Sequence, residues 1–364
     1  MNEPDDEQPF GVSCDVVFAN MGTDSPADDS PTFGPSTTDS HAVRSPVIDG
    51  PVADSPVTEP TNQQAGQSGY QRAEQLLALT EEDLASLDPA EVNLLVARGI
   101  PSLTNLDIPH YQAILDSWAA EVQDRIPLGE MTFWQSPQDW KNDVNFFRLG
   151  LLCEYLDTEQ GVRYKESHVN LQSVRYTNPS DLFINGVIDT REGTCGNLAV
   201  LHVAIGRRLG WPVHLACAGS HLICRYDDGR VVHNIETTRT GEGGFVSWTD
   251  GAYVERYGIR PIAVKTGSDL TTLTAGQTLG MFIGLRARHF MDTDRIRLAD
   301  QDYSLARSLF PESQRLWLCG TETAMIRKNR LFDAYAPVLV FDHDPNASFG
   351  TGNQHGKLKT GEAI

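Results

Sequence analysis

The chain of 364 residues contains no apolar run near the roughly 18 residues that would mark a membrane span. Its first ten residues, MNEPDDEQPF, lack the charged-then-apolar layout of a secretory signal. The six cysteines, at 14, 153, 195, 217, 224 and 319, make no CxxC pair. That spacing argues against a disulfide framework and for a reducing, cytoplasmic setting. Positive charge is scarce: 29 Lys and Arg stand against 49 Asp and Glu, a net charge of -20. A nucleic-acid partner needs the opposite balance, so neither nucleic acid nor membrane is expected as a partner.

Twelve of the acidic residues fall within 1–66, where Arg44 is the lone Lys or Arg. This segment is rich in Asp, Ser, Pro and Thr. It has too little apolar surface to offset the entropy of ordering, which predicts a disordered acidic tail. The polar residues 345–364 predict a second one. Between the tails, 67–170 reads as a helical region. Its stretches QRAEQLLALTEEDLASL, PHYQAILDSWAAEVQDRI and PQDWKNDVNFFRLGLLCEYLD carry apolar residues at helical spacing. Asp107 and the pair Ser136-Pro137 are start signals, and Asn178-Pro179 opens a further short helix. Residues 171–268 hold the helix and strands discussed next. Residues 269–344 return to helical spacing, and ADQDYSLARSLFPES there has a tetratricopeptide-like pattern.

The run REGTCGNLAVLHVAIGRRLG, residues 191–210, places one cysteine at the mouth of an apolar helix. Thr194 is the expected N-cap, and Gly210 with Pro212 stops the helix. A thiol in the first turn feels the partial positive charge of unpaired backbone N–H groups. That favours thiolate, and the same N–H groups suit a developing oxyanion. Gly193 is expected to let a substrate backbone approach. Cys195 is therefore the candidate nucleophile, against the plainer reading of a cysteine that only packs in a core.

A nucleophilic cysteine needs a base. His202 is seven residues along the same helix, roughly 10 Å further on, too far for direct transfer. His221 opens the strand-like run SHLICRYD and is the better candidate. The turn sequence DDGR joins that run to RVVHNIETT. A two-residue turn at Asp228-Gly229 sets Asp227 opposite Arg230, Ile223 opposite Asn234 and His221 opposite Glu236. Glu236 is then the expected orienting carboxylate, with Asn234, on the same strand face, as the alternative. A rival constellation, His214, Cys217, His221 and Cys224, offers metal-ligand types. Odd separations on strands turn these side chains to opposite faces, so no metal is expected. A thiolate mechanism needs no cofactor.

With these residues in view, RYTNPSDLFINGVIDTREGTCGNLAVLHVAIGRRLGWPVHLACAGSHLICRYDDG, residues 175–229, resembles the transglutaminase-like superfamily. The resemblance is closest to its bacterial SirB-type branch, whose members carry a tetratricopeptide-like helical tail. It implies an α+β fold: a papain-like core with the nucleophile helix packed on an antiparallel sheet, flanked by N-terminal helices and a C-terminal helical region. By position, GTCGNLAVLH gives Cys195 the nucleophile role and GSHLICRY gives His221 the base role. HNIETT falls where the family usually has an aspartate; here Glu236 or Asn234 stands there. The implied function is cysteine-dependent chemistry on amide bonds of a protein or peptide, through a thioester. Peptide or isopeptide hydrolysis and acyl transfer are both open. The alternative is a non-catalytic scaffold or regulatory protein that binds a partner through its helical C-terminal region.

Overall fold

The first four α-helices start at capping side chains. The computed structural model describes residues 69–168, 174–239 and 245–335. The segments 1–66 and 345–364, expected to be disordered, lie outside the described residues. Thr80, Asp88, Asp107 and Asp143 each accept a first-turn backbone N–H. They open α1 (Glu81–Ser86), α2 (Pro89–Ala97), α3 (Ile108–Phe133) and α4 (Val144–Glu154). Thr80 also divides the pattern QRAEQLLALTEEDLASL, leaving a separate 3-10 turn at Ala73–Ala78. Ser136-Pro137 begins only a 3-10 turn, Pro137–Trp140, and its Ser136 side chain makes no cap. The start signal that governs α4 is Asp143, which satisfies the amides of Asn145 and Phe146.

Two residues, Arg163–Tyr164 (β1), pair in parallel with Glu192–Gly193 (β2). Between them Asn178 caps a 3-10 turn ahead of α5 (Ile184–Thr190). Thr194 then caps α6 (Cys195–Arg208), with Asn197 reaching back to the Thr194 N–H as a capping box. Every α6 residue from Cys195 to Gly206 is buried. A helix surrounded in this way is fixed by the rest of the protein, so its first turn is a rigid platform.

A three-stranded antiparallel sheet follows, ordered β3 (Val213–Ala218), β4 (His221–Asp227) and β5 (Val232–Ile235). Gly219 and Ser220 form the two-residue turn between β3 and β4. Gly219 takes φ +66°, the sign such turns need at that place. The turn pairs Ala218 with His221 and puts His221 at the very start of β4. One sheet face, with Leu215, Cys217, Leu222 and Cys224, packs into the main core with α6. The other, with Ala216, Ala218 and Ile223, forms a second core with Tyr253, Ile259 and Ala263. Those residues come from α7 (Asp250–Tyr257), α8 (Pro261–Lys265) and the link between them.

The β4–β5 register differs from the one expected of a two-residue turn. Asp227 pairs with Val232, Arg225 with Asn234 and Cys224 with Ile235. The loop is Asp228–Val231, because the Asp228 carboxylate accepts the N–H groups of Arg230 and Val231 and holds a wider turn. The slip is two residues. An even slip keeps every side chain on its face, so the face assignment of Glu236 survives although its direct partner changes.

The chain closes with three helices, α9 (Ala275–Asp292), α10 (Ile296–Leu309) and α11 (Gln314–Tyr335). Consecutive helices pack on one another, and α9 also packs on α1 and α2. No described helix is long and apolar enough to cross a membrane.

Candidate active site

Cys195 is the first residue of α6, and it is 7 % exposed. Its own N–H belongs to the first turn, where the helical pattern supplies no acceptor. Gly193 has a role other than substrate approach. It is buried, and a Cβ there would sit 2.7 Å from Asn197 Oδ1 and from Leu198 Cγ. The glycine lets β2 lie against the first turn of α6 and so fixes where that turn points.

His221 and Glu236 are each 2 % exposed. His221 Nε2 donates to the Glu236 carboxylate, with both oxygens at 2.9 Å. Glu236 lies one residue beyond β5, where its own N–H bonds to Val246 O. Its oxygens also accept from Thr238 N (3.0 Å), Thr238 Oγ1 (2.5 Å) and Tyr253 Oη (3.2 Å). A carboxylate holding this many donors is fixed in place and in charge. Tyr257 stacks on the imidazole, with ring centroids 5.3 Å apart and planes 13° from parallel. With Nε2 taken, His221 Nδ1 is left buried and has no well-formed hydrogen bond. The group that acts on this ring, besides Glu236, is the Cys195 thiol.

The electrostatics follow from that arrangement. Burial alone pulls the imidazole toward neutrality, but the Glu236 charge and the Cys195 sulfur outweigh it and raise His221 to about 10. Burial likewise opposes ionisation of Glu236, yet the imidazolium and the Thr238 donors bring it down to about 2. For Cys195 burial is again the largest single effect and raises the thiol. His221, the more distant Arg315 guanidinium and the Leu222 N–H together reverse it, leaving the thiol below its ordinary value. Burial pushes Cys153, Cys217 and Cys224 up instead. Cys195 is thus the thiol of this group whose surroundings favour thiolate.

Asn234 is not brought to the imidazole. Facing Arg225 across the sheet, it accepts from Arg225 Nη1 at 2.8 Å. It donates to Trp248 O at 3.1 Å and to Asp250 Oδ1 at 2.8 Å. The longer turn put Arg225 in the place that the expected register gave to Ile223, and Asn234 braces that guanidinium. His202 is fully buried. Its Nδ1–H donates to Leu198 O at 2.8 Å, and burial lowers it to about 4, so it is a neutral core histidine. His214 and Cys217 alternate along β3, as do His221 and Cys224 along β4, with Cys217 and Cys224 in the main core.

Four residues that act on the site were not singled out from sequence: Tyr253, Tyr257, Thr238 and Arg315. Tyr253 and Tyr257 stand four apart on α7, a spacing that puts both on one helix face and was open to reading. A family model described as Transglutaminase-like superfamily matches residues 109–259. That domain runs from α3 through α7 and contains Cys195, His221 and Glu236. No curated protein and no solved structure matches the chain.

Proposed function

From a chain that carries a transglutaminase-like superfamily domain at 109–259, we infer a cysteine-dependent enzyme that acts on amide bonds of a protein or peptide. One observation carries the reading. A thiol at a helix start is the lowered one of a buried set, beside an imidazole whose far nitrogen is held by a buried carboxylate. In the first step the Cys195 thiolate attacks the amide carbonyl carbon and a C–S bond forms. The helix-start N–H of Cys195 stabilises the oxyanion. His221 Nδ1–H protonates the leaving nitrogen, the C–N bond breaks, and a thioester remains. Water then attacks, His221 takes its proton, and the C–S bond breaks to release the acid. An amine in place of water gives acyl transfer. Glu236 keeps Nε2 protonated and Nδ1 directed at the sulfur, and no cofactor enters.

The finer reading places the chain in the SirB-type branch, with 269–344 as its tetratricopeptide-like region. A second reading, a non-catalytic binding protein, draws on the exposed Trp317, Leu318, Met325 and Leu331 of α11. Labelling with a peptide that carries an acyl electrophile separates the two. The enzyme forms a covalent adduct at Cys195 that is absent in Cys195→Ala and lost in His221→Ala. A binding protein forms none.

A further inference from the structure

The pocket at Cys195 reaches the C-terminal helices. Arg288 of α9, Tyr303 of α10 and Arg315 of α11 line it together with Tyr176, Ser220 and His221. Its volume is about 40 Å³, more than the roughly 10–15 Å³ that one water needs on the same measure. It is sized for a small group.

The two arginines differ. Arg288 is committed: Nε donates to Asp292 Oδ2 at 2.8 Å and Nη2 to Val174 O at 3.0 Å. The Arg315 side chain makes no hydrogen bond or ion pair among the described residues, and its charge acts on Cys195, Cys319, Tyr303 and Arg288 from a distance. Asp269 also feels it, but that carboxylate is engaged elsewhere. Its Oδ1 accepts from Gly219 N at 2.6 Å and its Oδ2 from Ser268 Oγ at 3.1 Å. Arg315 is only partly open to solvent. A guanidinium has five donors and no acceptor, and with no protein partner among the described residues its donors are open to a ligand that enters the pocket. The planar group that matches its fork is a carboxylate.

We propose that Arg315 binds a carboxylate of the substrate, so that the site selects amides carrying a free carboxylate close to the carbonyl that Cys195 attacks. The proposal rests on the cysteine-enzyme reading above and names its substrate class. The narrow pocket keeps the carboxylate within a few bonds of that carbonyl. A chain-terminal carboxylate and an acidic side chain present the same chemistry.

Paired alkylating reagents test this on the full chain. Iodoacetate and iodoacetamide both place a CH2 on the thiolate with loss of iodide; iodoacetate alone brings a carboxylate. The rate at the Cys195 peptide is followed by mass spectrometry, with glutathione as the reference thiol and Cys195→Ala as the control. Wild type should favour iodoacetate about tenfold over the glutathione ratio, the size of one good charged contact. Arg315→Gln should lose that preference, and Arg315→Lys, which keeps the charge without the fork, should retain part of it. An iodoacetate-to-iodoacetamide ratio unchanged in Arg315→Gln overturns the proposal. So does an equal slowing of both reagents, which would make Arg315 a stabiliser of the thiolate alone. If neither reagent labels wild-type Cys195 faster than glutathione, the enzyme reading falls and takes the proposal with it. Protection by N-acetylglycine assigns a terminal carboxylate, and protection by N-acetylaspartate α-amide an acidic side chain. Equal protection by neutral N-acetylglycinamide contradicts both.

Discussion

Glu236 holds His221 by Nε2 at 2.9 Å from each carboxylate oxygen, which leaves the opposite ring nitrogen buried and uncommitted beside the Cys195 thiol that acts on the ring. The relation explains two things at once. It keeps the imidazole charged despite full burial, and it leaves the charged ring free to stabilise a thiolate rather than a structural acceptor.

Replacing Glu236 tests that relation. Glu236→Ala strands the imidazole N–H, the Thr238 donors and the Tyr253 hydroxyl in a dry site. Breaking a buried charged pair costs about 3–5 kcal/mol, so chemical denaturation should show a loss of that size. Glu236→Gln keeps the shape but not the charge. It should unfold closer to wild type, while Cys195 alkylation at neutral pH falls at least about tenfold, because the His221 charge is no longer held.

Asn234→Ala should behave in the opposite way. It removes the brace between Arg225 and Asp250 without touching the imidazole. Stability should fall by about 1–3 kcal/mol, the cost of unpaired buried polar groups. The Cys195 alkylation rate should stay within about twofold of wild type, because removing this amide leaves the His221–Glu236 pair intact. A rate collapse matching that of Glu236→Gln would return Asn234 to the site.

The contrast between these two residues shows how far sequence carried. The helix that begins at Cys195 was legible because its signals are local: Thr194 as a cap, the apolar stripe behind it, and Gly210 with Pro212 as the stop. The pairing of His221 with an acid was legible as a face, since strand alternation survives an even slip. The register itself was not. It turned on whether the Asp228 side chain would capture two backbone N–H groups, and composition does not distinguish that turn from a tighter one. Arg315 lies 120 residues after Cys195 on a helix that reaches the pocket only through tertiary packing. Nothing near it in the chain marks it.

Stability should depend on pH at both ends. The raised His221 contributes stability that is complete below its unfolded value near 6.5 and disappears as pH climbs through about 10. The lowered Glu236 contributes stability that is present above its ordinary value of 4.5 and is lost as pH falls toward about 2. His202 is also lowered, to about 4, so the folded state disfavours its protonation and loses stability as pH drops from 6.5 toward that value. Melting temperatures followed from pH 2 to pH 10 should therefore fall on both sides of about pH 6.5. In His221→Gln the difference from wild type should shrink between pH 7 and pH 10. In His202→Leu the decline below pH 6 should be shallower.

Gly193→Ala probes the platform under the thiol. The new methyl meets Asn197 Oδ1 and Leu198 Cγ at 2.7 Å, and overpacking of this kind costs about 1–3 kcal/mol. The variant should melt lower and alkylate more slowly at Cys195, because the same displacement shifts the first turn of α6. A variant that melts as wild type would show that β2 and α6 are not in close contact there.

The most direct measurement is the pH dependence of Cys195 alkylation by iodoacetamide, in wild type and in His221→Ala. A thiolate held by an imidazolium should give a wild-type rate whose rise with pH comes below the ordinary thiol range near 8.5. His221→Ala should restore a steep rise centred at or above that range. Two superimposable curves, both rising as a free thiol does, would contradict the account.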